Sequence, residues 1–205
     1  MAKHTMNKTL AAFGLAACGA ASLALASCSR QPPETAPLAG ARIGGPFTLT
    51  DQDGKSFSST ALEGRYRIVY FGYTFCPDAC PTDMQVLGKA MRQFDASDPK
   101  RSAKVQPIFI SVDPARDTPA ALKQFVGAFH PRLIGLTGSD AQIAAVAKEY
   151  ATTYSKQPAP AGASGYLMDH MRTAILFDPH GKPIELLPVD ANADAVVAEL
   201  EKWVI

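Results

Sequence analysis

Cys76 and Cys80 stand with three residues between them in the stretch FGYTFCPDACP, and each is followed by a proline, Pro77 and Pro81. Two sulfurs this close can close a disulfide or share one metal ion. Both chemistries need the same proximity, so the spacing leaves both open. A purely structural bridge is disfavoured, because closing so small a loop removes little chain entropy. The cysteines follow the run YRIVYFGY, residues 66–73, whose β-branched and aromatic residues suit a strand buried on both faces. Downstream, Met84, Leu87, Met91 and Phe94 recur at helical spacing, and Pro81 is expected to open that helix. Cys76 is thus placed at the carboxyl end of a strand, where ligands gather in α/β sheets, and Cys80 at a helix N-terminus, where a thiolate is stabilised.

A metal ion needs further donors, and the chain has four histidines. His4 belongs to the N-terminal segment. His130 precedes Pro131 at the expected end of a helix and reads as a partner of its last carbonyls. His180 falls in the turn Asp178-Pro179-His180-Gly181 and reads as solvated. His170, in GYLMDHMRTAILF, is expected in a loop just before a strand, with Asp169 as a residue that could orient it. The residues alone leave His170 open between a ligand and a hydrogen-bonded core histidine. Two thiolates and one imidazole would make a soft set that suits copper, Cu(I) in particular, whereas zinc usually takes a fourth ligand. Met168 and Met171 lie beside His170; they read most simply as core or rim methionines, and otherwise as an auxiliary thioether.

The elements that must position these residues are legible in outline. Residues 47–50 and 55–57 read as a hairpin around Asp51-Gln52-Asp53-Gly54. A strand is expected over 105–112, then a helix capped by Thr118-Pro119 with Leu122, Phe125, Val126 and Phe129 on one face. A short strand over 133–137 leads to a capping box, Ser139 with Gln142, and a helix burying Ile143, Val146, Ala147 and Tyr150. Residues 155–165, SKQPAPAGASG, read as a loop. A hairpin over 173–178 and 183–187 follows, then a helix over 193–203 with Val196, Val197, Leu200 and Trp203 inward. This alternation implies an α/β fold with a central sheet flanked by helices and an N-terminal hairpin.

The first 27 residues read as export machinery. Lys3 and Lys8 precede an uncharged run over 9–27, the secretory pattern. Leu25-Ala26-Ser27-Cys28 resembles a bacterial lipobox, and the chain turns polar directly after Cys28, the expected lipidation site. Leu15-Ala16-Ala17-Cys18 fits the same pattern but is followed by more apolar residues. The run is also nearly long enough to span a bilayer as an uncleaved helix. The expected organisation is a signal peptide or membrane anchor over 1–27, a tether over 28–44 and a folded domain over 45–205. Of the 205 residues, 47% are hydrophobic, enough for a core, and the net charge is +1. Both charges in the first 27 residues, Lys3 and Lys8, are positive, so the rest carries a small net negative charge. A near-neutral domain without basic runs is a poor nucleic-acid binder, and that class is set aside.

Three separated motifs in order, VYFGYTFCPDACP, SVDPARDTP, and the Asp-His before a strand with FDPHGK, resemble the Sco/SenC family over roughly residues 43–204. The resemblance implies a thioredoxin-like fold tethered to a membrane, here at the bacterial periplasmic face. It implies one copper ion, Cu(I) or Cu(II), bound by Cys76, Cys80 and His170. It further implies delivery of copper to the binuclear copper centre of cytochrome c oxidase, with the copper-bearing oxidase subunit and other copper chaperones as partners. The alternative within the family is a thiol-disulfide oxidoreductase that keeps that centre's cysteines reduced, or a redox sensor, with Cys76 and Cys80 as the redox-active pair. Against a dithiol reductase, the spacing is C-x-x-x-C, and Asp169-His170-Met171 stands where that class carries a proline. Against a peroxidase, Thr74 stands one residue too close to Cys76 for T-x-x-C. Met171 replaces the Ser or Thr that often follows the family's histidine, which leaves room for altered specificity.

Overall fold

Residues 34–158 and 165–205 are described by the structure, a computed structural model. Cys18, Cys28, His4 and the expected anchor over 1–27 lie outside the described residues. The described chain runs β1 (Thr48–Asp51), β2 (Ser56–Ser58), β3 (Tyr66–Gly72), α1 (Ala79–Ser97), α2 (Pro99–Ser102) and β4 (Val105–Ser111). It continues through α3 (Pro119–Gly127), β5 (Ile134–Thr137), α4 (Asp140–Glu149), β6 (Tyr154–Pro158), β7 (Tyr166–His170), β8 (Ala174–Phe177), β9 (Pro183–Leu187) and α5 (Ala193–Trp203).

Seven strands form one mixed sheet in the order β2-β1-β5-β4-β3-β8-β9. Strands β3, β4 and β5 are parallel at its centre, and the flanking pairs are antiparallel. Every residue of β3, β4 and β8 is buried, as expected of strands covered on both faces. The helices cover the sheet with the stripes read from the sequence: Met84, Leu87, Met91 and Phe94 from α1, Leu122 and Val126 from α3, Ile143, Val146 and Ala147 from α4, and Val196 and Leu200 from α5. Thr118 caps α3 through its side chain, and Ser139 with Gln142 forms the capping box of α4. Gly54, at a φ of +75°, turns the N-terminal hairpin.

Four expectations need correction. Residues 154–158 and 166–170 form a second, two-stranded antiparallel sheet, β6-β7, where a loop was expected; 159–164 lie outside the described residues. His170 is therefore the last residue of a strand rather than part of a loop. Helix α1 opens at Ala79, two residues before Pro81, which still sits in the first turn where its missing N–H is harmless. Residues 36–44, read as the end of a tether, belong to the compact unit Ala36–Ile205. Leu38 N–H donates to Ile184 O, Gly44 N–H donates to Glu149 O, and Ala36, Leu38 and Ile43 pack on the core. Among the described residues, no helix is long and apolar enough to cross a membrane.

Candidate metal centre

Strand β3 ends at Gly72, and the sulfur of Cys80 rests against that end. A Cβ on Gly72 would come within 2.9 Å of Cys80 Sγ and 2.8 Å of the Phe109 ring, so the approach requires glycine. The chain then turns through Tyr73, Thr74 and Phe75 to Cys76. The buried carboxylate of Asp117 pins this turn: Thr74 donates to it from its amide at 3.0 Å and from its hydroxyl at 2.7 Å, and Ser111 donates at 2.6 Å. Burial pushes the Asp117 carboxyl up, and these hydrogen bonds oppose the shift. The hydroxyl of Thr74 thus serves the turn rather than the sulfur.

Cys80 is the second residue of α1 and is fully buried; Cys76 is half-buried. Both are free thiols. The amide of Cys80 donates to Cys76 Sγ at 3.4 Å, so the helix N-terminus is aimed at the outer sulfur. Hydrogen bonding from the Cys80 thiol, opposed by burial and reinforced by His170 and the backbone amides, brings Cys76 down to about 3. The same hydrogen bond, with burial, pushes Cys80 up. The two shifts run in opposite directions, so the outer sulfur is the readier of the two to ionise.

His170 completes the group. Its Nε2 lies 3.1 Å from Cys80 Sγ, and one donor atom from each of Cys76, Cys80 and His170 falls within 4.8 Å of the others. The rings of Tyr73 and Tyr70 meet the imidazole edge-on at centroid distances of 5.8 and 6.2 Å. The other ring nitrogen, Nδ1, pairs with the carbonyl of Met171 at 3.1 Å, so that carbonyl orients the ring and Asp169 does not. Asp169 is exposed and stands opposite Ser155 in the hairpin. Strand alternation puts Tyr166, Met168 and His170 on one face of β7. Met168 packs against the core, while Met171 is exposed.

Besides the packing of Tyr154 on the core, two sets of polar contacts fasten the hairpin to the domain. At its entrance, Tyr166 donates its hydroxyl to Asp113 at 2.7 Å, and Arg116 donates to the Tyr166 carbonyl at 3.0 Å. The Arg116 guanidinium, ion-paired with Asp113, stacks 3.7 Å over the Tyr166 ring and 5.0 Å from the ring of Phe75. At its exit, Arg172 forms a two-pronged ion pair with Asp83 on α1. A cleft of about 260 Å³, lined by residues of both strands and Met171, opens beside His170.

The spacing joined Cys76 to Cys80, the family resemblance added His170, and most of what holds the three was missed. Asp113, Arg116 and Asp117 sat unexplained in the second motif. Tyr70, Tyr73 and Asp83 were passed over. Asp83 carried a readable signal: at i+3 from Cys80 and next to Met84 it puts a charge on the buried face of α1, and a buried charge requires a partner. His130 meets the end of α3 through its amide, which donates to the Val126 carbonyl at 3.4 Å, but its imidazole is turned elsewhere: it is buried with Nε2 3.1 Å from Asp95 and Nδ1 accepting from the Arg132 amide. His180 is exposed in its turn as expected.

The three donor types, two sulfurs and a nitrogen, are those of a soft-metal site, and the two thiols alone are those of a redox pair. The family model described as SCO1/SenC matches residues 35–205. "Protein SCO2, mitochondrial" of Saccharomyces cerevisiae is 43% identical over 145 residues, covering 71% of this chain. That match spans 47% of the yeast protein, about half its length. Among solved structures, Arabidopsis thaliana ScoI with copper bound is 37% identical with a TM-score of 0.71, over 78% of this chain and 97% of that one. Bradyrhizobium japonicum ScoI with copper bound is 38% identical with a TM-score of 0.69, over 78% of this chain and 99% of that one.

Proposed function

The chain belongs to the SCO1/SenC family and has its thioredoxin-like fold, and from that premise we propose that it binds copper through Cys76, Cys80 and His170 and serves cytochrome c oxidase assembly. The observation that carries the reading is the 3.1 Å approach of His170 Nε2 to Cys80 Sγ across 90 residues of sequence. A dithiol used for redox work alone has no need of an imidazole there. When bound, copper supplies a transferable ion held by soft donors. The chain's own part is to keep Cys76 ionised, give up the Cys80 proton on loading, and hold the imidazole against the sulfurs. Delivery to the binuclear copper centre of the oxidase follows as the role.

The reduced unit 36–205 is expected to take up about one copper ion, as a single three-donor set implies. The same protein oxidised to the Cys76–Cys80 disulfide is expected to take up none, because the ligands are thiolates. Metal analysis with parallel thiol counting decides it, and equal uptake by both forms refutes the reading. A second reading, thiol-disulfide exchange with the oxidase cysteines, is favoured by one observation: a half-buried Cys76 facing the Cys80 amide beside a fully buried Cys80 is the arrangement of an attacking and a resolving sulfur.

For location, the proposal is a domain held at the periplasmic face through lipid on Cys28, supported by the basic start and the small residues before that cysteine. Cys28→Ala is expected to release the chain from the membrane fraction or to block its processing. If fractionation and mass are unchanged, the anchor lies elsewhere.

A further inference from the structure

Arg172 stands two residues beyond His170 and turns back onto α1. There its Nε donates to Asp83 Oδ2 at 3.1 Å and a terminal nitrogen donates to Oδ1 at 2.6 Å. Asp83 is three residues along α1 from Cys80 and is fully buried. Its Oδ2 also accepts from the Tyr70 hydroxyl at 2.8 Å, and Tyr70 lies against both Cys80 and the His170 ring. One carboxylate thus links the helix that carries the inner sulfur, a ring that packs on the imidazole, and the segment that carries the imidazole.

The core does not call for a charge at residue 83. Its neighbours on that face of α1 are Cys80, Met84 and Leu87, and an apolar residue would pack there without the cost of burying a carboxylate. What an Arg–carboxylate fork adds is direction, because two parallel hydrogen bonds fix angle as well as distance. The Met171 carbonyl fixes the His170 imidazole only against its own neighbour in the chain, so the direction of the segment relative to the sulfurs must come from elsewhere. Among the described residues the strand of His170 pairs with β6 alone, so the ladder that stiffens the seven-stranded sheet does not extend to it. On the entrance side Met168 packs on the core two residues away, but the polar fastening at Tyr166 is four residues away; Arg172, two residues beyond, is the nearer polar one.

We propose that the Asp83–Arg172 ion pair is the latch that positions His170. Closed, it brings the imidazole to the sulfurs and completes a three-donor set. Open, it leaves a dithiol. The proposal rests on the copper reading above, and it places control of Cu(II) capacity in two residues outside the ligand set.

Two variants of the full chain test it. Arg172→Met removes the fork while Asp83 keeps its bond from Tyr70. Asp83→Asn with Arg172→Met also removes the unpaired buried charge, so that the core stays neutral. Both are expected to keep a Cys76–Cys80 pair that cycles between dithiol and disulfide. Both are expected to weaken Cu(II) binding about 10- to 100-fold, the range for residues that orient a ligand, and to lose intensity in the thiolate-to-Cu(II) absorption band. The same change made on a His170→Ala background is expected to cost nothing further, because the latch acts through that imidazole. In the reduced, metal-free chain, nuclear Overhauser contacts between the His170 and Tyr73 rings are expected to vanish in both variants. Unchanged Cu(II) affinity with intact ring contacts, or an equal loss on the His170→Ala background, overturns the latch. If His170→Ala itself leaves Cu(II) binding unchanged, the copper reading fails, and the ring contacts in the metal-free chain still decide the latch alone.

Discussion

At Cys76 and Cys80, two residues of one type are made different by where the backbone puts them. Cys76 sits in front of the amides that open α1 and in reach of His170; Cys80 sits behind it, in the core. The ordinary thiol value is 9.0, and Cys76 lies below it at about 3, so the reduced domain gains stability from this group as pH rises between those values. That contribution is lost as pH falls through the folded-state value. Cys80 has the opposite sign: its folded-state value is raised, its contribution is full below the ordinary thiol value, and it is lost as pH climbs above that. Near neutral pH both groups favour the fold. Iodoacetamide added to the reduced, metal-free chain at about pH 5 is expected to label Cys76 and spare Cys80, with a Cys76 rate that is flat to about pH 8, because the thiolate is the nucleophile. In denaturant both cysteines should label, and only as pH approaches the ordinary thiol range. Labelling of Cys80 first, or of neither at pH 5, contradicts the assignment. The identities of these two residues were readable from spacing. Their inequality was not, because it depends on an amide, an imidazole and a degree of burial that no local pattern encodes.

Among the elements, those with a clean period were legible and the one that lacks it was not. Helices α1, α3, α4 and α5 each show an apolar stripe with a capping or breaking residue at one end, and β3, β4 and β8 are short apolar runs between breakers. The β6-β7 hairpin has neither signal. Its strand β6 reads YSKQP, four of whose five residues are exposed, and the proline-rich residues after it suggested a loop throughout. What makes it a hairpin is tertiary: Tyr154 and Met168 pack on the core, Arg116 and Asp113 grip Tyr166, and Arg172 grips Asp83. A polar two-stranded ribbon is marginal by itself. The element that carries His170 therefore takes its shape from side chains on α1 and from the Asp113–Arg116 segment beyond β4. The start of α1 was misplaced for a related reason: Pro81 is a good N1 residue, but the helix begins at Ala79 so that the Cys80 amide faces Cys76.

For the whole molecule, the question is whether the imidazole or the dithiol carries the work in the cell. The fold serves either role: a buried mixed sheet holds the cysteine turn, and a separate ribbon brings the histidine to it. The site opens to the surface, where exposed Phe75 and Met171 flank the sulfurs and the ring. His170→Ala separates the two roles, because it leaves both cysteines and removes one of three donors. A dithiol reductase attacks a substrate disulfide through a mixed disulfide and then resolves it with its second sulfur; no imidazole ligand enters that sequence. A copper carrier without His170 keeps a two-coordinate thiolate site, which Cu(I) tolerates and Cu(II) does not. His170→Ala is therefore expected to lose the thiolate-to-Cu(II) band and most Cu(II) affinity, to bind Cu(I) more weakly, and to retain Cys76–Cys80 cycling. In cells it is expected to fail in copper loading of cytochrome c oxidase to the same extent as the double Cys76→Ser/Cys80→Ser variant, measured as oxidase activity and oxidase-bound copper. Normal oxidase in the His170→Ala strain beside a defective double-cysteine strain would assign the work to the thiols and reverse the order of the two readings.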